Sequence, residues 1–226
     1  MRQRIAPAKP VVVTVGDEGM KKVFHRSYKT IIDIGAHTGE FASAAFRHSP
    51  QAKILSFEPL PGPYKLLQKT IINFSKDSQA FPFALGDKEV TTEMNEFPFT
   101  AASSILSPAK GSRKYFPYLI ASTRRTVQVR RLDDMIDGTT ISRPALLKID
   151  AQGYEDRVLR GSEKTLQYID AVLIEVSLVP LYEGQWLKED LCNWLTKKGF
   201  RYVETVHQHH TFACGKVIQE DVLFER

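Results

Sequence analysis

Cysteine is scarce in this chain: Cys192 and Cys214 are its two thiols in 226 residues. Two cysteines so placed match no metal-ligand spacing and no disulfide framework, and they read as reduced thiols. Long apolar runs are missing too, since no stretch approaches the roughly 18 residues that would suggest a membrane span. Val11-Val12-Val13, behind the basic start Met1-Arg2-Gln3-Arg4, is too short for the apolar region of a secretory signal. A cytoplasmic protein without a membrane span is therefore expected. The positive charge is modest, at a net +5. Arg124-Arg125, Arg130-Arg131 and Lys197-Lys198 are scattered pairs, without the basic stripe or aromatic ladder that nucleic-acid binding asks for. No nucleic-acid partner is expected. Internal repeats and low-complexity tracts are also lacking.

What is present is an ordinary globular composition, 42% hydrophobic and 25% charged, in a chain long enough for one large core. Pro7, Pro10 and Gly16 break up residues 1–28, which read as a lead-in whose Glu18–Tyr28 stretch is a capping helix. From residue 29 to 226 strands and helices alternate, as in a doubly wound α/β sheet. Strands are expected at Thr30–Ile34, Lys53–Phe57, Ala80–Ala84, Thr126–Arg130, Ala145–Ile149, Ala171–Val176, Arg201–Val206 and Asp221–Phe224. Helices are expected at Gly39–His48, from Pro61 to about Phe74, and at Tyr154–Arg160, Ser162–Tyr168 and Trp186–Lys198, with Gly199 as the last helix's stop. Residues 87–120, rich in Thr, Ser, Phe and Pro, read as an insertion or lid with short extended pieces such as Glu93–Phe97.

The most informative stretch is Ile31-Ile32-Asp33-Ile34-Gly35-Ala36-His37-Thr38-Gly39-Glu40. A β-branched run leads into two glycines four apart and then a helix, which is how a buried strand delivers a cofactor-binding turn. Glu58 ends the second strand in Phe57-Glu58-Pro59, where an acid can accept hydrogen bonds from both ribose hydroxyls of an adenosine cofactor. NAD and S-adenosylmethionine share that requirement. The dinucleotide fingerprint needs a third glycine three residues on, and it is absent here. Asp33 beside the turn suits a cofactor carrying ammonium and sulfonium and would repel a pyrophosphate, so the charge favours S-adenosylmethionine. Leu147-Lys148-Ile149-Asp150-Ala151-Gln152-Gly153 repeats the strand–glycine-turn pattern, and Glu175 closes the next strand. Asp33, Glu58, Asp150 and Glu175 are expected to rim one crevice at the carboxyl edge of the sheet.

These pieces, with Ala84-Leu85-Gly86-Asp87, Ser103-Ser104, Arg131-Leu132-Asp133-Asp134, Ile174-Glu175-Val176, Leu181-Tyr182-Glu183-Gly184-Gln185 and Asp221-Val222-Leu223-Phe224, closely resemble the FkbM-type methyltransferases over about residues 30–226. The resemblance implies the Rossmann-like class I S-adenosylmethionine-dependent fold, a seven-stranded, mostly parallel sheet whose last strand is antiparallel, with helices on both faces. It implies O-methylation of a small molecule or glycan. Carried over position by position, it marks Asp33, Gly35, Ala36, His37, Thr38, Gly39, Glu58, Pro59, Gly86, Asp87 and Asp150 as cofactor contacts. Two residues depart from the family's habit. His37 stands where asparagine is commoner, and Gln152 replaces a frequent glutamate, which weakens any metal role for that loop. No metal ligands are expected, and the metal requirement and oligomeric state stay open.

Methyl transfer to a hydroxyl needs orientation and a proton acceptor. Asp150 and Glu175 are the candidate catalytic residues, with His37 a weaker candidate base and Lys148 an orienting charge. His207-Gln208-His209-His210 invites a metal reading, but it is expected in an exposed turn between the closing strands. Tyr182 and Trp186 suit either an acceptor pocket or core packing. Two other functions remain: a nucleotide-cofactor oxidoreductase, lacking the glycine fingerprint, and a non-catalytic binding module on the same fold.

Overall fold

The computed structural model describes residues 16–75, 77–117, 119, 121–211 and 215–226. Residues 1–15 of the lead-in, Cys214 and the end of the expected lid at Ile120 lie outside the described residues.

Seven strands form the main sheet, in the order β3-β2-β1-β7-β8-β10-β9. They are β1 (Thr30–Ile34), β2 (Lys53–Phe57), β3 (Gln79–Phe81), β7 (Ala145–Ile149), β8 (Ala171–Ser177), β9 (Arg201–His210) and β10 (Val217–Glu225). Strand β10 pairs antiparallel with both β8 and β9, while β1, β2, β3, β7 and β8 run parallel. The seven-stranded α/β sheet with its antiparallel last strand is as the resemblance implies. Helices α1 (Asp17–Val23), α2 (Glu40–His48), α3 (Pro61–Ile71), α4 (Leu132–Met135), α5 (Glu155–Arg160) and α6 (Lys188–Lys197) complete the fold. None of the described helices is long and apolar enough to cross a membrane.

The central strands read as nearly continuous Ile/Leu/Val runs because both faces are covered. Ile32, Ile34, Leu147, Ile149, Val172 and Ile174 pack on one face with Leu159 and Leu195; Ile31, Ile54, Leu146 and Leu173 pack on the other with Phe41 and Ala45 of α2 and Met20 and Val23 of α1. Truncating a fully buried side chain such as Ile32 (0% exposed) to alanine removes about 2–5 kcal/mol.

Several expectations change: the helix expected at Glu18–Tyr28 ends at Val23, and of Ser162–Tyr168 only Thr165–Tyr168 is helical, as a 3-10 turn. The strand expected at Ala80–Ala84 is split at Pro82, which has no N–H for the ladder. Gln79–Phe81 stays in the main sheet, and Ala84–Leu85 becomes β4 of a second sheet ordered β4-β6-β5. The 87–120 stretch contributes to that sheet through β5 (Val90–Glu96), which pairs antiparallel with β6 (Thr123–Arg130). The extended piece expected at Glu93–Phe97 is the end of this longer strand, whose polar start at Thr91 and Thr92 concealed its length. Finally, His207–His210 is not a turn: β9 continues through His210, paired to β10 along its length.

Candidate functional site

One cavity opens at the carboxyl edge of the sheet. Its walls include Gly35, Ala36, His37, Glu58, Pro59 and Asp150, and also Glu175, His209 and Asp221. The turn after β1 shapes one wall. Gly35 has φ +72°, and a Cβ there would lie 1.8 Å from the Asp150 carbonyl oxygen, so only glycine lets the two loops approach. The Gly35 and Ala36 N–H groups both donate to the Phe57 carbonyl at 3.0 Å, fastening the turn to the end of β2. Gly39, at φ +98°, opens α2.

That fastening sets up Glu58. The His37 N–H donates to Glu58 Oε2 at 3.0 Å and the Leu60 N–H to Oε1 at 2.8 Å. Each oxygen is aimed by one backbone donor and keeps lone-pair capacity for a ligand. Burial raises the Glu58 pKa to about 7, against the pull of the Leu60 N–H and of His37. The cavity beside Glu58 is lined by Phe57, Phe83 and Leu85, a suitable bed for an aromatic base.

His37 itself has φ +49°. Its ring spans two elements, with Nδ1 3.3 Å from Glu40 Oε1 and Nε2 2.9 Å from Thr100 Oγ1. Burial works against the imidazolium, but the Glu40 hydrogen bond and charge outweigh it and lift the His37 pKa. Burial likewise works against the Glu40 carboxylate, and the His37 and Thr38 hydrogen bonds overcome it to hold its pKa at about 2.

Asp33 does not reach the rim. Its side chain is wholly buried, with Oδ1 3.4 Å from Lys148 Nζ, and it is not among the cavity-lining residues. The cause is the pleat. Asp33 sits one residue before the strand end, facing its register partner Lys148 beneath the turn. Thr38, Gly39, Gly86 and Asp87 are also not among the cavity-lining residues.

The acidic end is built on the second glycine turn. Glu155 Oε1 accepts from the Ala151 N–H at 2.9 Å and the Gly153 N–H at 3.0 Å, holding the loop shut. Burial raises the Glu155 pKa to about 7. In the shaped loop, Gln152 Nε2 donates to Asp150 Oδ1 at 2.8 Å and to Glu175 Oε2 at 2.9 Å. Gln219 Nε2 donates to the same Glu175 oxygen at 2.5 Å. Burial raises the Glu175 pKa well above the carboxylate range, and the nearby Asp150 and Asp221 charges add to it. Lys148 is the buried counter-charge: burial disfavours its ammonium, but the Asp33, Asp150 and Asp221 carboxylates outweigh that and raise its pKa.

Asp150 and Glu175 thus meet in one place, joined by Gln152. Tyr182 is buried, its hydroxyl within 2.7 Å of the Ala102 carbonyl and 2.9 Å of Gln152 Oε1, and Trp186 stacks under Arg160; neither lines the cavity. Residues not read as site residues from the sequence include His209, Asp221, Met20, Phe41, Phe83 and Thr100. His209 and Asp221 carried a topological signal. An antiparallel strand begins where its parallel neighbours end, so Asp221, four residues after the start of β10, comes to the carboxyl edge. Strand β9, running opposite to β10, delivers its last residues to that edge. Closing β9 at Val206 concealed this. Met20 reaches the cavity from α1, a contact no local pattern marks.

A family model described as the methyltransferase FkbM domain matches residues 33–202. Methyltransferase sdnD of Sordaria araneosa is 28% identical over 193 residues, 75% of this chain and 73% of its own. 2-O-methyltransferase NoeI of Sinorhizobium fredii is 25% identical, over 69% of this chain and 66% of its own, and hexuronic acid methyltransferase AglP of Haloferax volcanii is 23% identical, over 64% and 54%. The chain thus spans between about half and three-quarters of the length of these relatives. Among solved structures, a candidate tRNA methyltransferase from Streptococcus pneumoniae has a TM-score of 0.51 at 13% identity, over 93% of this chain and 70% of its own. A candidate rRNA methylase from Clostridium thermocellum has the same score at 9% identity, over 94% and 97%. At such identities the structural likeness concerns the fold alone.

Proposed function

The chain belongs to the FkbM methyltransferase family, and on that premise we propose that it uses S-adenosylmethionine to methylate a hydroxyl group of a small molecule or sugar. The observation that carries the donor is Glu58: both its oxygens are aimed by backbone donors at a cavity whose near wall is a glycine turn. A vicinal diol matches two such oxygens. S-adenosylmethionine supplies a methyl group on a positively charged sulfur, with an ammonium at its amino-acid end. In this chain Glu58 would hold the ribose, Phe83 and Leu85 the adenine, and the Gly35–His37 backbone with Asp150 the amino-acid end.

The remaining residues orient the acceptor and move its proton. Met20, Phe41 and Ala44 give the inner cavity an apolar wall that keeps water from the reacting atoms. Asp150 and Glu175, fixed in relative position by Gln152, are the carboxylates available to take the hydroxyl proton. Lys148 balances their charge from below. The relatives named for 2-O-methylation and for a hexuronic acid support a hydroxylated, sugar-like acceptor. The test is incubation with S-adenosylmethionine and a panel of hydroxylated small molecules and sugars, read by mass spectrometry. The reading expects one acceptor class to gain a methyl group, with loss of that product in Asp150→Asn. Methylation confined to amines would replace the acceptor assignment.

A further inference from the structure

Among the cavity-lining residues, Glu175, His209 and Asp221 converge from three adjacent strands. One ligand atom from each lies within 4.8 Å of the other two. His209 Nε2 is 3.2 Å from Asp221 Oδ2 and 3.7 Å from Glu175 Oε1. These are the separations of neighbouring ligands around an ion with bonds of about 2.1 Å. We propose that Glu175, His209 and Asp221 form a divalent-cation site, open toward the acceptor end of the cavity.

Three observations support a cation there. First, Glu175 and Asp221 are direct register partners across the β8–β10 ladder. Like charges directly opposite each other repel, and both side chains are largely buried, at 7% and 12% exposed. A dication between them turns that repulsion into ligation. Second, the Glu175 side chain is more than nine-tenths buried, and its two oxygens differ. Oε2 accepts from Gln152 and Gln219, whereas among the described residues Oε1 accepts no hydrogen bond and is turned to His209. Paired amide donors on one oxygen fix the carboxylate so that the other is presented, which is the usual support for a ligating carboxylate. Third, the three residues line the cavity, so an ion held by them would border the space open to a ligand. One imidazole and two carboxylates suit manganese, iron or zinc better than a thiolate-seeking ion.

The site's role in catalysis rests on the methyl-transfer reading above: with Glu175 serving as a ligand, Asp150 is left to take the proton of a hydroxyl whose oxygen, on the open face, would be polarised and held toward the donor. The binding claim stands apart from it. Mn²⁺ titrated into the metal-free full chain, followed by loss of the free-ion electron paramagnetic resonance signal, should show one bound ion per chain, displaced by Zn²⁺. Glu175→Gln, His209→Gln and Asp221→Asn should each weaken Mn²⁺ binding by about tenfold or more, as loss of a ligand demands. His48→Gln, at the exposed end of α2, should not. S-adenosylmethionine titrations of the same proteins report folding and the donor site independently. If the chain binds Mn²⁺ but not S-adenosylmethionine, the methyl-donor reading fails and the cation site stands. Absence of stoichiometric Mn²⁺ and Zn²⁺ binding by the wild type overturns the proposal, as does binding that the three variants leave unchanged.

Discussion

Lys148 holds its ammonium 3.4 Å from Asp33 Oδ1, directly across the β1–β7 ladder and almost out of reach of water. The same ammonium donates to the Gly35 carbonyl at 3.0 Å and lies 3.6 Å from Asp150 Oδ2. One buried charge therefore joins the two glycine turns that frame the cavity. Removing it strands Asp33. Lys148→Met should lower stability by about 3–5 kcal/mol in urea unfolding, the usual cost of breaking a buried pair from one side. Lys148→Met with Asp33→Leu should recover part of the loss. A single-variant change below about 1 kcal/mol would contradict the pairing.

The Gly35 turn makes a separate claim. Alanine at position 35 sets a Cβ against the Asp150 carbonyl, so the turn or the Asp150 loop must move. Gly35→Ala should still yield a folded protein, destabilised by about 1–3 kcal/mol through the left-handed backbone and the clash. Its calorimetric titration with S-adenosylmethionine should be flat. Wild-type affinity in this variant would show that the turn does not touch the donor.

Glu58 gives a pH dependence with a definite sign. Its pKa in the free protein is about 7, raised from 4.5 by burial, so folding favours its protonated form. Its contribution to stability is complete below the unfolded pKa and declines as pH rises from about 4.5 to about 7. Ribose hydroxyls donate to the ionised carboxylate. Donor binding should therefore release a proton near neutrality and tighten as pH rises from about 6 to about 8. Isothermal titration in buffers of different ionisation enthalpy measures that proton directly. Uptake, or no exchange, would place the diol elsewhere.

Gln152→Glu replaces an amide that donates to both Asp150 and Glu175 with a third carboxylate. At neutral pH it should cost about 1–3 kcal/mol, the penalty for unmaking buried hydrogen bonds among like charges. The deficit should shrink on acidification, because the introduced carboxyl regains a donor once it is protonated. Denaturation midpoints at two pH values decide this; a pH-independent deficit would mean the bridge contributes only packing.

Much of this arrangement was legible in the sequence because parallel strands buried on both faces are written as Ile/Leu/Val runs, and because the glycines at 35 and 39 mark backbone that bulkier residues cannot adopt. Glu58, Asp150 and Glu175 were readable for the same reason: each ends such a run. Asp33 was misplaced because spacing gives the strand but not which side of the pleat a carboxylate takes one residue before its end. Pro82 hid a switch between sheets, and the Thr-rich start of β5 lacked the apolar alternation that announces a strand, so only its end was read as extended. His209 and Asp221 were hidden differently. Asp221 lies at the cavity because β10 is antiparallel, and His209 because β9 runs on past Val206 to the same edge; strand direction and strand length in the whole sheet place them, not a local pattern.

The central claim is that Glu58 receives the nucleoside of a methyl donor. Calorimetric titration of S-adenosylmethionine into wild type and Glu58→Ala tests it most directly. The account predicts one site per chain in the wild type, and affinity weakened about tenfold or more in the variant, as expected when hydrogen bonds to a charged group are lost. Wild type that takes up no S-adenosylmethionine, or Glu58→Ala that binds it equally well, would contradict it.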